Sequence, residues 1–176
     1  MSSLKVNSVV DAAGGNTVTV NDYWNLFDYK DGQLFWKNKQ SNVKAGSVAG
    51  SKTAEGYLTV SIKKKRLLAH RIIYFMFHGK EPNFVDHING VKTDNRIENL
   101  REATLFTNAW NRPSNKNSKT GVKNVCFDKQ SKKWIVQLTA NRKKLVHKII
   151  EDFELAELVA MEARNKFHGN FAYSGA

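Results

Sequence analysis

Nine consecutive residues, Arg112 to Thr120, read Arg-Pro-Ser-Asn-Lys-Asn-Ser-Lys-Thr and, the proline apart, offer no apolar side chain. A stretch of this kind behaves as a linker, so the sequence on either side must bury its own apolar surface. Two small domains are the result to expect from 176 residues cut in this way. The reading places an N-terminal arm at residues 1–22, a first domain at 23–112, the linker at 113–120 and a second domain at 121–176.

The arm is small and polar around Gly14-Gly15-Asn16, with short Val and Thr alternations on either side. From Tyr23 the text turns aromatic: Trp24, Leu26, Phe27 and Tyr29 lead into Asp31-Gly32, a tight-turn signal, and Leu34-Phe35-Trp36 reads as the returning strand of an N-terminal β-hairpin region. Leu58, Val60 and Ile62 alternate with polar residues, and Lys64-Lys65 turns that strand into Arg66-Leu67-Leu68. Ile72, Ile73, Met76 and Phe77 then share one face of a helix over residues 69–77, stopped by Gly79 and Pro82. Phe84-Val85-Asp86-His87 is a short strand, a polar loop runs to Asn99, Leu100 to Ala103 returns, and Thr104 opens a helix through Trp110.

After the linker come three strand-like runs, Val122 to Phe127, Trp134 to Thr139 and Leu145 to Ile150, and an amphipathic helix from Glu154 to Phe167. The predicted fold class is therefore α+β, with a three-stranded antiparallel sheet packed on one helix in the second domain. Charge is segregated within it. Residues 112–148 hold eleven Lys or Arg against Asp128 alone, whereas residues 151–164 hold five acids against Arg164.

The net charge of +12 favours a polyanionic partner, and the segregated basic sheet favours nucleic acid among polyanions. Cys126 is the single cysteine, which excludes an intramolecular disulfide and any cysteine cage for a structural zinc. No run of apolar residues is long enough to span a membrane and no secretory pattern opens the chain, so the expected location is a reducing cytoplasm. Cys126, His147, His168, His78, Trp24, Trp36 and Trp110 are read as core, cap or strand-face residues, and the Lys63-Lys64-Lys65-Arg66 run as a phosphate contact or a solvated turn.

Chemistry is concentrated around Asp86-His87, where a strand gives way to a turn. A hard divalent cation takes oxygen ligands, so the Asp86 carboxylate and the Asn108 amide from the following helix can hold one and leave places for water and phosphate. An imidazole near neutral pKa can take a proton from water, and neighbouring residues of a strand face opposite ways, which separates His87 from the metal side.

Written out, His70-Arg71, Val85-Asp86-His87-Ile88-Asn89-Gly90, Asp94-Asn95-Arg96-Ile97-Glu98-Asn99-Leu100-Arg101, Ala103-Thr104 and Asn108 resemble the HNH endonuclease family, in the branch common among phage homing endonucleases. Upstream, Leu34-Phe35-Trp36, Ala45-Gly46, Ala49-Gly50 and Gly56-Tyr57 resemble the region these nucleases carry before the motif. Downstream, Gly121-Val122, Cys126-Phe127-Asp128, Lys133-Trp134, the Ala156 to Ala163 helix and His168-Gly169 resemble an AP2-type DNA-binding domain, with Ile149-Ile150-Glu151-Asp152-Phe153 departing from the usual Gly before Phe.

The resemblance implies a ββα-metal nuclease core and cleavage of double-stranded DNA to 5′-phosphate and 3′-hydroxyl ends, in the host cytoplasm if the gene is carried by a phage. It implies that Asp86 and Asn108 ligate one divalent metal, Mg²⁺ or else Mn²⁺, that His87 activates water, and that Asn99 holds the loop in position. His70 and Arg71 match a recurring pair; Arg71 either grips a phosphate or packs at the helix start. Asp94 and Asn95 are read as loop-structuring, with Asp94 a rival ligand. Lys132, Lys133, Trp134, Arg142, Lys143 and Lys144 would meet phosphates or bases. The competing reading is a non-catalytic DNA-binding regulator that uses the AP2-like domain; an RNA-binding role is the weakest. Oligomeric state, and with it nicking or double-strand cleavage, is not encoded in these patterns.

Overall fold

A computed structural model describes residues 18–40, 42–112, 114, 117–140 and 143–173. The Gly14-Gly15-Asn16 segment and Arg142 lie outside the described residues. The chain divides into two compact units, Met1–Thr104 and Leu105–Ala176. The divide precedes the expected 113–120 linker because the short helix after Thr104 packs with the second unit.

In the first unit, α1 (Val20–Leu26) begins on a capping box in which Thr19 and Asp22 exchange side-chain and backbone hydrogen bonds. That cap turns the Tyr23-Trp24 stretch, expected as β-structure, into helix. β1 (Phe27–Lys30) and β2 (Gln33–Trp36) pair antiparallel across Asp31-Gly32, as expected from the turn signal. A second antiparallel sheet runs β3 (Ser51–Lys52), β4 (Leu58–Ile62) and β5 (Lys65–Leu68). α2 (Ala69–His78) ends at Gly79 in the left-handed region, φ 66°, which a residue without a Cβ adopts freely. β6 (Phe84–His87) pairs antiparallel with β7 (Leu100–Ala103), Asp86 opposite Arg101 and His87 opposite Leu100.

The core of this unit gathers round α2: Ile72, Ile73, Tyr74 and Met76 pack with Phe27, Leu34 and Trp36 of the first hairpin, Val60 of β4 and Leu100 of β7. Trp24 adds its ring from α1 and donates Nε1–H to the carbonyl of Met76 at 3.1 Å. Because α2 is buried on nearly all sides, its first turn delivers His70 into the interior beside the β6–β7 hairpin.

In the second unit, α3 (Leu105–Trp110) is held by Lys123, whose ammonium donates to the carbonyls of Ala109, Trp110 and Arg112 at 3.3, 2.7 and 2.6 Å. Trp110 stacks flat on His168, 4.5 Å between centroids. β8 (Val125–Asp128), β9 (Lys133–Ala140) and β10 (Lys143–Ile150) form an antiparallel sheet in the order β10-β9-β8. α4 (Phe153–His168) lays Ala156 and Ala160 on Val125 and Val136. Its small residues let helix and sheet approach closely. The expected three strands and helix are all present. Cys126, expected in the core, is exposed, because in β8 it is Val125 that turns toward α4. No helix among the described residues is long and apolar enough to cross a membrane.

Candidate active site

The β6–β7 hairpin builds the site from two adjacent residues that face opposite ways. Asp86, only 5% exposed, meets its cross-strand neighbour: Arg101 donates Nε–H and Nη2–H to Asp86 Oδ2 at 2.9 and 2.6 Å. These charge-assisted bonds, largely shielded from water, offset the desolvation of a carboxylate that would otherwise be prohibitive to bury.

His87 turns to the other side and is equally buried. Its Nε2 lies 2.8 Å from Asn95 Oδ1, a contact that fixes the orientation of the ring. The His70 ring stands edge-on to His87 at 5.0 Å between centroids, and Tyr57 lies 5.5 Å from His70 and 6.2 Å from His87. Burial lowers the His87 pKa, against the opposing pull of the Asn95 bond and of Asp86 and Asp94. The imidazole is therefore neutral at pH 7. His70 is pushed further, to about 3, first by burial and then by His87 and Arg71.

Asn99 organises the loop between the strands. Its Nδ2 donates to Asn89 Oδ1 at 3.0 Å and to the Asp94 carbonyl at 2.7 Å, while its Oδ1 accepts the Asn89 amide at 3.0 Å. Ile88 N–H donates to the Asn99 carbonyl at 2.9 Å. Asp94 receives Asn89 Nδ2 at 2.7 Å and a two-pronged contact from Arg96, Nε to Oδ1 and Nη2 to Oδ2, both 2.8 Å. The Arg96 bonds, ahead of the others, hold the Asp94 carboxyl below its usual range. Asp94 is thus engaged in loop structure, as expected.

The first hairpin supports the loop from below. Tyr29 Oη accepts the Ile97 amide at 3.0 Å, and Gly32, φ +82°, sits so close that a Cβ there would fall 2.7 Å from the Arg96 amide nitrogen. Three participants had gone unrecognised in the sequence: Asn95, read as loop-structuring and found against His87; Arg101, found against Asp86; and Tyr57. Only Arg101 carried a legible signal, since it falls opposite Asp86 once the two strands are paired.

The remaining expected residues are distributed as follows. Arg71 donates Nη1 to the Asn83 carbonyl at 2.9 Å, and Nη2 to the Pro82 carbonyl at 2.9 Å and to Glu81 Oε1 at 3.0 Å. Of its two open readings, these contacts favour packing over phosphate binding. Asn108 lies on α3 in the other unit, partly buried. Trp134, expected to meet DNA, packs between Phe127 and Phe153 at 4.7 and 4.6 Å on the side of the sheet that faces α4. Lys133 pairs with Glu151 at 2.8 Å. Lys132, Lys143 and Lys144 are exposed.

The cofactor to test against this geometry is a divalent metal. Among the described residues no group of three or more His, Cys, Asp or Glu side chains is gathered to hold one. A hard cation takes oxygen donors; the strand offers one carboxylate, Asp86, whose Oδ2 is engaged by Arg101.

The HNH endonuclease family model matches residues 67–109, which take in α2, both strands and the loop. The segment that positions Asp86, His87 and Asn99 is an HNH endonuclease domain, and such a domain implies a nucleic-acid substrate. Protein 3.8 of Escherichia phage T7 is 32% identical over 91 residues, which cover 51% of this chain and 73% of that protein. The chain thus carries an HNH endonuclease domain over residues 67–109 and is a relative of this phage protein. No solved structure matches it.

Proposed function

We propose that the protein is a metal-dependent endonuclease that hydrolyses double-stranded DNA. The observation that carries this reading is His87: an imidazole kept neutral by its burial and fixed in orientation by Asn95, at the end of the same strand that buries Asp86. In this reading His87 takes a proton from water as its oxygen attacks phosphorus. The P–O3′ bond breaks, and the products are 5′-phosphate and 3′-hydroxyl ends. Asp86 would hold the divalent metal, Mg²⁺ or else Mn²⁺, which would stabilise negative charge on the phosphate and the leaving oxygen. Asn99 acts through the loop rather than on substrate.

The β8–β10 sheet is the proposed AP2-like DNA-binding element. Gln137 and Thr139 face away from the buried Val136 and Leu138, and Lys132, Lys143 and Lys144 add exposed charge at its turns and edge. Such a face can follow a duplex groove, with lysines on phosphates. Host cytoplasm is the compartment where such a phage nuclease would act.

A non-catalytic DNA-binding regulator is the second reading, favoured by one contact: Arg101 occupies Asp86 Oδ2 with two hydrogen bonds. Supercoiled plasmid incubated with Mg²⁺, with EDTA and with the His87→Ala variant separates the two. Metal-dependent nicking or linearisation that EDTA and His87→Ala abolish supports the nuclease. Binding without cleavage refutes it in favour of the regulator.

A further inference from the structure

The turn between β4 and β5 is two residues long, since Ile62 pairs with Lys65. Both of its residues are lysines with positive φ, Lys63 at 47° and Lys64 at 66°. A two-residue hairpin loop of this kind favours Asn-Gly or Asp-Gly: glycine meets no Cβ penalty there, and asparagine or aspartate bonds its own backbone. Lysine does neither. The local fold would be better served by other residues, and like charges crowded at one tip oppose each other.

The clustering of charge at the tip is a second observation. Some surface cations of this unit have acid partners, Lys37 with Asp28, Arg71 with Glu81, Lys80 with Glu102 and Arg96 with Asp94, whereas the exposed Lys30, Lys39, Lys44 and Lys52 have none among the described residues but are not gathered at one turn. At the tip, Lys63, Lys64 and Arg66 are exposed, and none forms an ion pair among the described residues. Asp22 is near enough to feel Lys63, but its carboxyl is held down first by its Thr19 hydrogen bonds. A strained turn that keeps unpaired cations on long, mobile stems is built for a partner with repeating negative charge.

We infer that the Lys63-Lys64 tip, with Arg66 beside it on β5, is a contact site for the phosphate backbone of duplex DNA. The site belongs to the nuclease unit itself and is separate from the basic sheet of the second unit. The inference rests on the nucleic-acid reading of the HNH domain, and its test keeps the two apart.

The double variant Lys63→Asn/Lys64→Gly in the full chain removes both charges while installing the turn's preferred residues, so a binding defect cannot be ascribed to misfolding. Binding is read by fluorescence anisotropy of a labelled duplex in EDTA, across a salt series, beside a thermal melt. The variant is expected to melt no lower than wild type, to bind roughly 10-fold more weakly near physiological salt, and to lose about 1.8 from the slope of log K against log salt. Arg66→Gln, outside the turn, should lower the slope by about 0.9. Wild-type affinity and slope in both variants would overturn the inference and leave the nuclease reading standing. Loss on duplex RNA but not on duplex DNA would overturn the assignment to DNA. Failure of the wild-type protein to bind any duplex would overturn both.

Discussion

Asn99→Ala is the substitution that most directly probes how the loop positions His87. Asn99 is 7% exposed and makes three side-chain hydrogen bonds, two to Asn89 and one to the Asp94 carbonyl. At about 1 kcal/mol net for each bond, truncation should cost roughly 3 kcal/mol, more where a buried group is left without a partner. A domain stable by 5–15 kcal/mol, the ordinary range of about that order, keeps its fold after such a loss. The loop does not keep its geometry, and Asn95, which orients His87, lies within it. A displacement of about 1 Å at a catalytic group can cost about 100-fold in rate, so kcat should fall by about that factor while DNA affinity changes little. Amide exchange supplies a direct local readout: the Asn89 N–H, donated to Asn99 Oδ1 in the native loop, should exchange faster in the variant. Asn99→Asp keeps that acceptor but points a carboxylate at the Asp94 carbonyl and Asn89 Oδ1, so it should restore Asn89 protection and not the rate. Unchanged Asn89 exchange together with wild-type kcat in Asn99→Ala would refute the positioning argument.

Further consequences follow from the same geometry. His70 has a folded pKa of about 3 against 6.5 when unfolded, so below pH 6.5 the unfolded chain binds more protons. Its contribution is complete above pH 6.5 and is lost as pH falls toward 3, by up to about 1.4 kcal/mol per pH unit; His70→Phe should flatten this acid limb in urea titrations, and an unaltered limb would refute it. Gly32→Ala would force a Cβ to 2.7 Å from the Arg96 amide nitrogen at φ +82°; strain of about 1–2 kcal/mol from the backbone alone should lower the melting temperature and shift the Asn95 and Arg96 amide resonances. Arg101→Leu removes two bonds from a carboxylate that stays buried, with an expected loss of about 3–5 kcal/mol by urea unfolding; a loss below about 1 kcal/mol would mean that other groups satisfy Asp86.

Much of this architecture is legible in the residues because the signals are local and periodic. Ile72, Ile73 and Met76 mark the buried face of α2, and Gly79 marks its end. The Phe84–His87 and Leu100–Ala103 strands coincide with their expected bounds. α1 was hidden because Tyr23 and Trp24 have strand-forming side chains, whereas helix entry depends on one reciprocal contact between Thr19 and Asp22. Cys126 was misjudged because β8 has only four residues, too few for alternation to say which set faces the core. Trp134 reads as a nucleic-acid contact beside Lys132 and Lys133, yet its ring packs between Phe127, its partner across the β8–β9 hairpin, and Phe153 at the start of α4. Asn95 was missed for a related reason. Its contact with His87 spans eight residues of irregular loop, and no periodicity predicts where such a side chain points.

The adjacency of Asp86 and His87 gives the site its character. Were the two side chains on one face, the carboxylate would raise the imidazole's pKa and favour imidazolium, which cannot accept a proton from water. β6 prevents this by alternation: Asp86 is committed across the strand pair to Arg101, and His87 is turned toward His70, Tyr57 and Asn95. Asp86 still raises the His87 pKa, but burial outweighs it and the net shift is downward. On the proposed reading, a single strand end provides an oxygen donor on one side and a neutral imidazole on the other. The short loop fixed by Asn99 keeps the second aligned without placing another charge against it.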